Sequence, residues 1–200
     1  MNNVDPSQFV AMRPNDSLWH RVKEAAGRQG RARIEFVNEW INGAIRYTSD
    51  QTQWGADDVW SLPIDANGEG SLNTGKGDCE DYAIAKYVAL HQAGVPDAKL
   101  RMILVHDNVV DQDHAVLAVR DDGKWLILDS RWNKLIEDTE LMRLNRFEPL
   151  YIVEKTGVSL LARRFRLSDP MFAAPRNAPA APPCVRPLAA IDRSSGLICE

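Results

Sequence analysis

Two apolar segments joined by a tight turn constrain the fold of this chain more than any other feature. Ala115–Val119 and Lys124–Leu128 are separated by Asp121-Asp122-Gly123, and another apolar run covers Leu100–Val105. Asp-Gly between apolar runs favours a two-residue type I′ turn, because both central residues of that turn need a positive φ. The sequence therefore predicts three strands, of which the last two form an antiparallel hairpin.

The turn also determines which residues of the hairpin face each other. If Asp122 and Gly123 are the two turn residues, position 121 faces 124, 116 faces 129 and 114 faces 131. His114 and Asp129 are then diagonal neighbours on one face, with backbones about 7–8 Å apart. A three-residue loop with a bulge would pair 114 with 130 and turn Asp129 to the opposite face. Side-chain chemistry and turn propensity both favour the first register.

The N-terminal third of the chain has apolar residues at helical spacing. Asp16 is a good N-cap for an amphipathic helix that ends between Gly27 and Gly30, and Ile34–Ile45 predicts a second helix. Thr48–Gly77 has no sustained apolar period and carries Gly, Asp, Asn and Pro throughout. It is therefore predicted to be a long loop, and long loops in compact domains are often functional.

A third helix is predicted to begin at a cysteine. Cys79–Ala93 contains good helix formers and is followed by a glycine and a proline, which stop a helix. The free N–H groups and positive dipole end of a helix N-terminus stabilise a thiolate, so the position predicts a lowered pKa for Cys79. Three nearby carboxylates, those of Asp78, Glu80 and Asp81, would repel a thiolate. A protonated histidine, a bound cation or side chains turned away from the sulfur must therefore offset this repulsion.

Three side chains combine into a candidate catalytic set. Cys79 supplies a nucleophile, His114 a proton carrier, and Asp129 a carboxylate that fixes the tautomer of the imidazole. A lone buried cysteine usually has only a packing role. The glycines before Cys79 and the facing histidine and aspartate instead indicate a reactive thiol.

Composition narrows the class of protein. Lys and Arg total 24 against 28 for Asp and Glu, a net charge of −4 without a dense basic run, which disfavours a nucleic-acid groove. No apolar stretch approaches the roughly 18–20 residues that span a bilayer. Residues 1–172 are predicted to form one α+β domain with helices packed on an antiparallel sheet, including a strand at Leu150–Val153. Residues 173–200 are a Pro/Ala-rich extension.

The motifs resemble one known family. Gly77–Ala83, followed by His114–Leu117 and Leu128-Asp129, is similar to the bacterial transglutaminase-like cysteine proteinases, and the likeness extends over roughly Ile34 to Val153. This family includes calcium-dependent periplasmic proteases that release biofilm adhesins. The resemblance implies a papain-like α+β core with a transglutaminase-type catalytic centre, peptide-bond hydrolysis and the catalytic order Cys, His, Asp. Ser130 departs from the family pattern, in which Asn often follows the catalytic Asp.

The resemblance also implies a metal and a location. It places calcium on Asp78 and Glu80, with Asp81 as a further candidate ligand. The same carboxylates would also complement a helix dipole without any metal. Met1–Pro6 shows no basic segment leading into an apolar one, so the sequence predicts a cytoplasmic protein, or a periplasmic or secreted one whose signal was removed.

Other interpretations remain open at this level. Asp65–Leu72 looks like the start of an EF-hand loop, but Lys76 stands where the closing carboxylate belongs, so a polar loop is favoured. Cys184 and Cys199 would pair only in an oxidising compartment. Amidase or transglutaminase chemistry would use the same triad, and a catalytically silent protein that binds calcium, a protein substrate or a regulatory partner is the alternative from another class.

Overall fold

The computed structural model describes residues 17–56, 58–63, 75–154 and 157–160. The Asp16 cap, the Asp65–Leu72 loop and the C-terminal extension with Cys184 and Cys199 lie outside these residues. Within the described ranges, none of the helices combines the length and the apolar character needed to cross a bilayer.

A six-stranded antiparallel sheet forms the centre of the structure. Its strand order is β6-β5-β4-β3-β7-β8. The three strongest apolar runs of the sequence form its central strands, which confirms the predicted sheet. The strands are β3 (Leu100–Asp107), β4 (Gln112–Asp121), β5 (Lys124–Leu128), β6 (Ile136–Glu137), β7 (Phe147–Glu154) and β8 (Gly157–Leu160).

The β4–β5 hairpin has the predicted turn and register. Asp122 and Gly123 have φ angles of 45° and 78°, as a type I′ turn requires. Asp121 faces Lys124 and Leu117 faces Leu128 across the two strands. The alternative three-residue loop is therefore excluded, and the face that carries His114 also carries Asp129.

Three of the helices follow the predicted apolar periods. They are α1 (Ser17–Ala26), α2 (Gly30–Ala44) and α4 (Cys79–Gln92). Nine of the 14 residues of α4 are buried, so this helix is enclosed on nearly all sides. Its first residue is Cys79, as the sequence predicted.

The prediction of one long loop over Thr48–Gly77 is wrong at both ends. A short helix, α3 (Asp50–Trp54), follows Ser49, whose hydroxyl lies 3.0 Å from that of Thr52. β2 (Lys76–Gly77) pairs in parallel with β1 (Arg46–Tyr47). Elements of two to six residues are too short to show an apolar period. For the same reason β6, β8 and the short helix α5 (Asp138–Arg143) were not predicted.

Both faces of the sheet are covered. Leu117 and Val119 of β4 pack with α2 and α4, whereas the alternating Val116 and Ala118 pack on the other side with Leu141 of α5. This alternation follows from the two-residue period of a strand. β4 thus carries side chains into two cores, and His114 lies near its start.

Candidate active site

His114 and Asp129 form a buried pair at the end of the hairpin. Their Nε2 and Oδ1 atoms are 3.0 Å apart, and their side chains are 9% and 2% exposed. Burial alone would raise the pKa of Asp129, but hydrogen bonds from His114 and Arg131 outweigh it and hold the pKa below its usual range. Asp129 is therefore ionised and accepts hydrogen bonds only.

The ionised carboxylate selects the tautomer of His114. Because Asp129 cannot donate, the His114 Nε2 atom carries the hydrogen of this bond. In the neutral imidazole the Nδ1 atom is then the basic nitrogen. An oriented histidine with a free basic nitrogen is the arrangement that general-base catalysis requires.

Cys79 reaches the same end of the sheet from α4. The backbone N–H of Ala115, the residue after His114, donates a hydrogen bond to the cysteine sulfur. The thiol is free and half-buried. Residues separated by 35 and 50 positions in the chain thus meet where α4 begins, β4 starts and β5 ends.

The Cys79 thiol differs from its prediction in one respect. Its Sγ atom lies 3.1 Å from Oε2 of Glu80, which therefore points toward the sulfur and not away from it. Burial, and then the charge and hydrogen bond of Glu80, raise the pKa of Cys79. The lowered pKa predicted from the helix N-terminus is wrong for this arrangement, because burial of the thiol and the nearby Glu80 carboxyl group together outweigh the dipole of the helix.

Three carboxylates gather beside the thiol. Asp50, Asp78 and Glu80 each offer an oxygen, and these oxygens all lie within 4.8 Å of one another. Oδ2 of Asp78 accepts the backbone N–H of Asp50 at 3.2 Å, whereas its buried Oδ1 has no hydrogen-bond partner among the described residues. The pKa of Glu80 is raised to about 9, mainly by burial and then by the hydrogen bond and the negative charge of Asp78.

This cluster fits a hard divalent cation. Calcium prefers carboxylate and other oxygen ligands, and the buried Oδ1 atom of Asp78, which has no hydrogen-bond partner among the described residues, could serve as one of them. Asp50 comes from the first turn of α3, 28 residues before Asp78. The sequence did not predict Asp50 as a ligand, because nothing in its spacing links it to Asp78.

Asp81 does not join this cluster. Its Oδ1 atom accepts the backbone N–H of Ser61 at 2.6 Å, which ties the 58–63 segment to α4. Gly77 lies directly against it: a Cβ at that position would come within 2.5 Å of Asp81 Cβ. Its other buried oxygen, Oδ2, has no hydrogen-bond partner among the described residues, but Asp81 is not one of the three carboxylates whose oxygens come together.

Arg131 links Asp129 to a second carboxylate, Asp107, which also binds Arg146. Arg131 donates to both carboxylate oxygens, from Nε to Oδ1 at 3.1 Å and from Nη2 to Oδ2 at 2.9 Å. Asp107 accepts from Arg131 at 2.8 Å and from Arg146 at 3.1 Å. Asp107, Arg131 and Arg146 were not predicted from the sequence, because nothing in their spacing links them.

Lys86 approaches the site from the core. Its side chain is fully buried on α4, and Nζ has no hydrogen-bond partner among the described residues. Burial lowers the pKa of Lys86 to about 7, and the charge of Asp129 only partly opposes this shift. The sequence did not predict this burial, because a lysine is a common residue in a run of helix formers.

Comparison with known proteins defines the class. The model of the bacterial transglutaminase-like cysteine proteinases matches residues 16–142. The chain belongs to this family.

Among solved structures the chain is similar to LapG of Legionella pneumophila. The calcium-bound form has a TM-score of 0.60 and 25% identity over 84% of this chain and 92% of LapG. The EGTA-treated form has a TM-score of 0.59 and 24% identity, covering 81% and 87%. A third LapG structure has a TM-score of 0.51 and 27% identity, covering 72% and 88%. No curated protein matches the sequence.

Proposed function

We propose that this chain is a cysteine peptidase that hydrolyses peptide bonds of a protein substrate through Cys79, His114 and Asp129. One observation carries the proposal. The ionised Asp129 accepts a hydrogen bond from His114, and the next residue on the same strand, Ala115, donates its backbone N–H to the Cys79 sulfur. Nucleophile, base and orienting acid are thereby supplied in one place. The family of the chain agrees with this reaction class.

Each proton in the reaction has a defined carrier. The Cys79 sulfur attacks the carbonyl carbon of the scissile bond while His114 Nδ1 takes the thiol proton. His114 then gives that proton to the departing amine nitrogen as the C–N bond breaks, which leaves an acyl thioester on Cys79. In the second half, His114 removes a proton from water, the resulting hydroxide attacks the thioester, and the proton returns to the sulfur as the acid leaves.

Calcium is proposed to bind at Asp50, Asp78 and Glu80. When bound there, it supplies the positive charge that this cluster of carboxylates lacks. Glu80 is the key residue because its Oε2 atom lies 3.1 Å from the cysteine sulfur. A cation held by Glu80 would place positive charge close to this sulfur and stabilise a developing thiolate, so the nucleophile would form at a lower cost.

Removing calcium is therefore expected to slow the reaction of the Cys79 thiol with iodoacetamide by about tenfold and to lower the unfolding temperature. Asp78→Asn should show the same slow reaction with calcium present, and should bind calcium at least tenfold more weakly by calorimetry. Asp111→Asn, which neutralises an exposed carboxylate on the β3–β4 loop, is the control and should resemble the wild type. Unchanged calcium affinity in Asp78→Asn would remove this site.

The substrate proposed is an extended segment of a cell-surface protein, with an adhesin as the first candidate and the periplasm as the location. The family resemblance supports both. Tyr47 and Trp54 are exposed at 65% and 46%, and Tyr47 pairs with Gly77 two residues before the nucleophile. Exposed aromatic side chains beside a reactive thiol provide contact area for an unfolded peptide.

The proposed hydrolysis is tested by the fate of the acyl group. The chain is incubated with a peptide mixture from a digested proteome in H₂¹⁸O, with and without a primary amine. We expect new C-termini that carry ¹⁸O in both reactions, because water is the acceptor. Products joined to the added amine would indicate a transamidase, and an absence of new termini with calcium present would contradict an enzyme.

A further inference from the structure

A buried carboxylate behind the catalytic pair has no role in the reaction described so far. Asp107 is the last residue of β3, the strand between β4 and β7, and it is completely shielded from solvent. Its Oδ1 atom accepts the backbone N–H of Val109 at 3.0 Å. Its Oδ2 atom accepts from both Arg131 and Arg146. Capping the end of a strand does not require two cationic side chains on one buried oxygen, so Asp107 has a further role to explain.

Arg131 joins Asp107 to Asp129. Its guanidinium uses Nη1 for Asp107 at 2.8 Å, and Nε and Nη2 for the two oxygens of Asp129. The group is planar, so the direction of the bond to Asp107 fixes the direction of the other two bonds. The orientation of the Asp129 carboxylate therefore depends on Asp107 through one rigid side chain.

Aromatic rings restrict the arginines further. The Arg131 guanidinium lies 4.7 Å from the ring centre of Trp132, and that of Arg146 lies 4.6 Å from the same ring. Phe147 stacks on Trp132 at 6.4 Å and also contacts the His114 ring at 6.2 Å. The Phe147 ring therefore contacts both the arginines and the catalytic imidazole.

We propose that Asp107 is a positioning residue of this peptidase, which acts through Arg131 to hold the Asp129 carboxylate against His114. The inference rests on the proposed function, because it assumes that His114 and Asp129 act in the reaction. Asp107 touches no substrate atom. Its effect should appear in the rate of the chemical steps and not in the binding of substrate.

The test is a double-mutant cycle. Asp107→Asn keeps the shape of the side chain but removes its charge, and should lower kcat about tenfold to a hundredfold with KM unchanged. Because Asp107 acts through Asp129, its loss should cost little more once Asp129 is already Asn. Arg131→Lys retains the charge without the planar fork and should reproduce the effect of Asp107→Asn. Asp138→Asn, another buried aspartate at the start of α5, controls for general destabilisation.

The iodoacetamide rate of Cys79 is measured for the same variants, because it needs no peptide substrate. The proposal is supported if the double variant of Asp107→Asn and Asp129→Asn loses less kcat, and less iodoacetamide rate, than the two single losses combined. A fall in unfolding temperature like that of Asp138→Asn, with kcat unchanged, would show that Asp107 is only structural and overturn it. If the wild type cleaves no peptide, the proposed function fails, and the cycle in the iodoacetamide rate still decides whether Asp107 and Asp129 are coupled.

Discussion

Cys79→Ala is expected to reduce peptide-bond cleavage by roughly ten-thousandfold or more. No other described residue offers a thiol at this position, where the N–H of Ala115 meets the sulfur. Without that sulfur no acyl intermediate forms, and His114 has no nucleophile from which to take a proton. The measurement is cleavage of a protein substrate, followed by mass spectrometry of the new termini.

The variant should otherwise be intact. Alanine is tolerated at the start of a helix, and the three candidate cation ligands are untouched. Calcium affinity and circular dichroism should therefore match those of the wild type, which separates a chemical defect from a folding defect. If Cys79→Ala cleaves at a tenth of the wild-type rate, the nucleophile is elsewhere and the proposed mechanism is wrong.

Asp129→Asn is expected to lower kcat by roughly a hundredfold to ten-thousandfold while KM changes little. An asparagine amide can present either its oxygen or its nitrogen to the imidazole. Arg131 demands an acceptor from the same group, and an amide satisfies both partners less well than a carboxylate does. The imidazole then loses its fixed tautomer and the charge that stabilises its protonated form. Steady-state kinetics over a range of substrate concentrations separates the two parameters.

The sheet supplies a matched control for this substitution. Asp113 and His106 form a second Asp–His pair, with 2.9 Å between Oδ1 and Nδ1, but the Asp113 side chain is 71% exposed. Asp113→Asn changes the same chemical group one residue away from His114, outside the buried site. It should leave kcat within about twofold. A loss as large as that of Asp129→Asn would mean that the catalytic pair has been misassigned.

Local sequence signals were sufficient for the hairpin and the helix start. Asp122-Gly123 determined a turn with two positive φ angles, and the two-residue period of the strands then placed His114 and Asp129 on one face. Cys79 opens α4 because a run of helix formers begins there after two glycines. These features depend on residues that are close in sequence, which is why a single sequence contains them.

Long-range features could not be found in the same way. Asp50 joins Asp78 and Glu80 only because a five-residue helix folds back beside α4. Arg131 binds Asp107, which lies 24 residues earlier on another strand. The direction of the Glu80 side chain is a choice between rotamers, and the local sequence does not determine that choice.

The enclosed position of α4 has a consequence for how this protein can diversify. The helix that carries the nucleophile is packed on nearly all sides, so most substitutions along it would damage the core. Mutational tolerance is higher at exposed positions such as Tyr47 and Trp54. Laboratory evolution toward new cleavage sequences should therefore accumulate changes at those positions, whereas α4 should stay almost unchanged between variants.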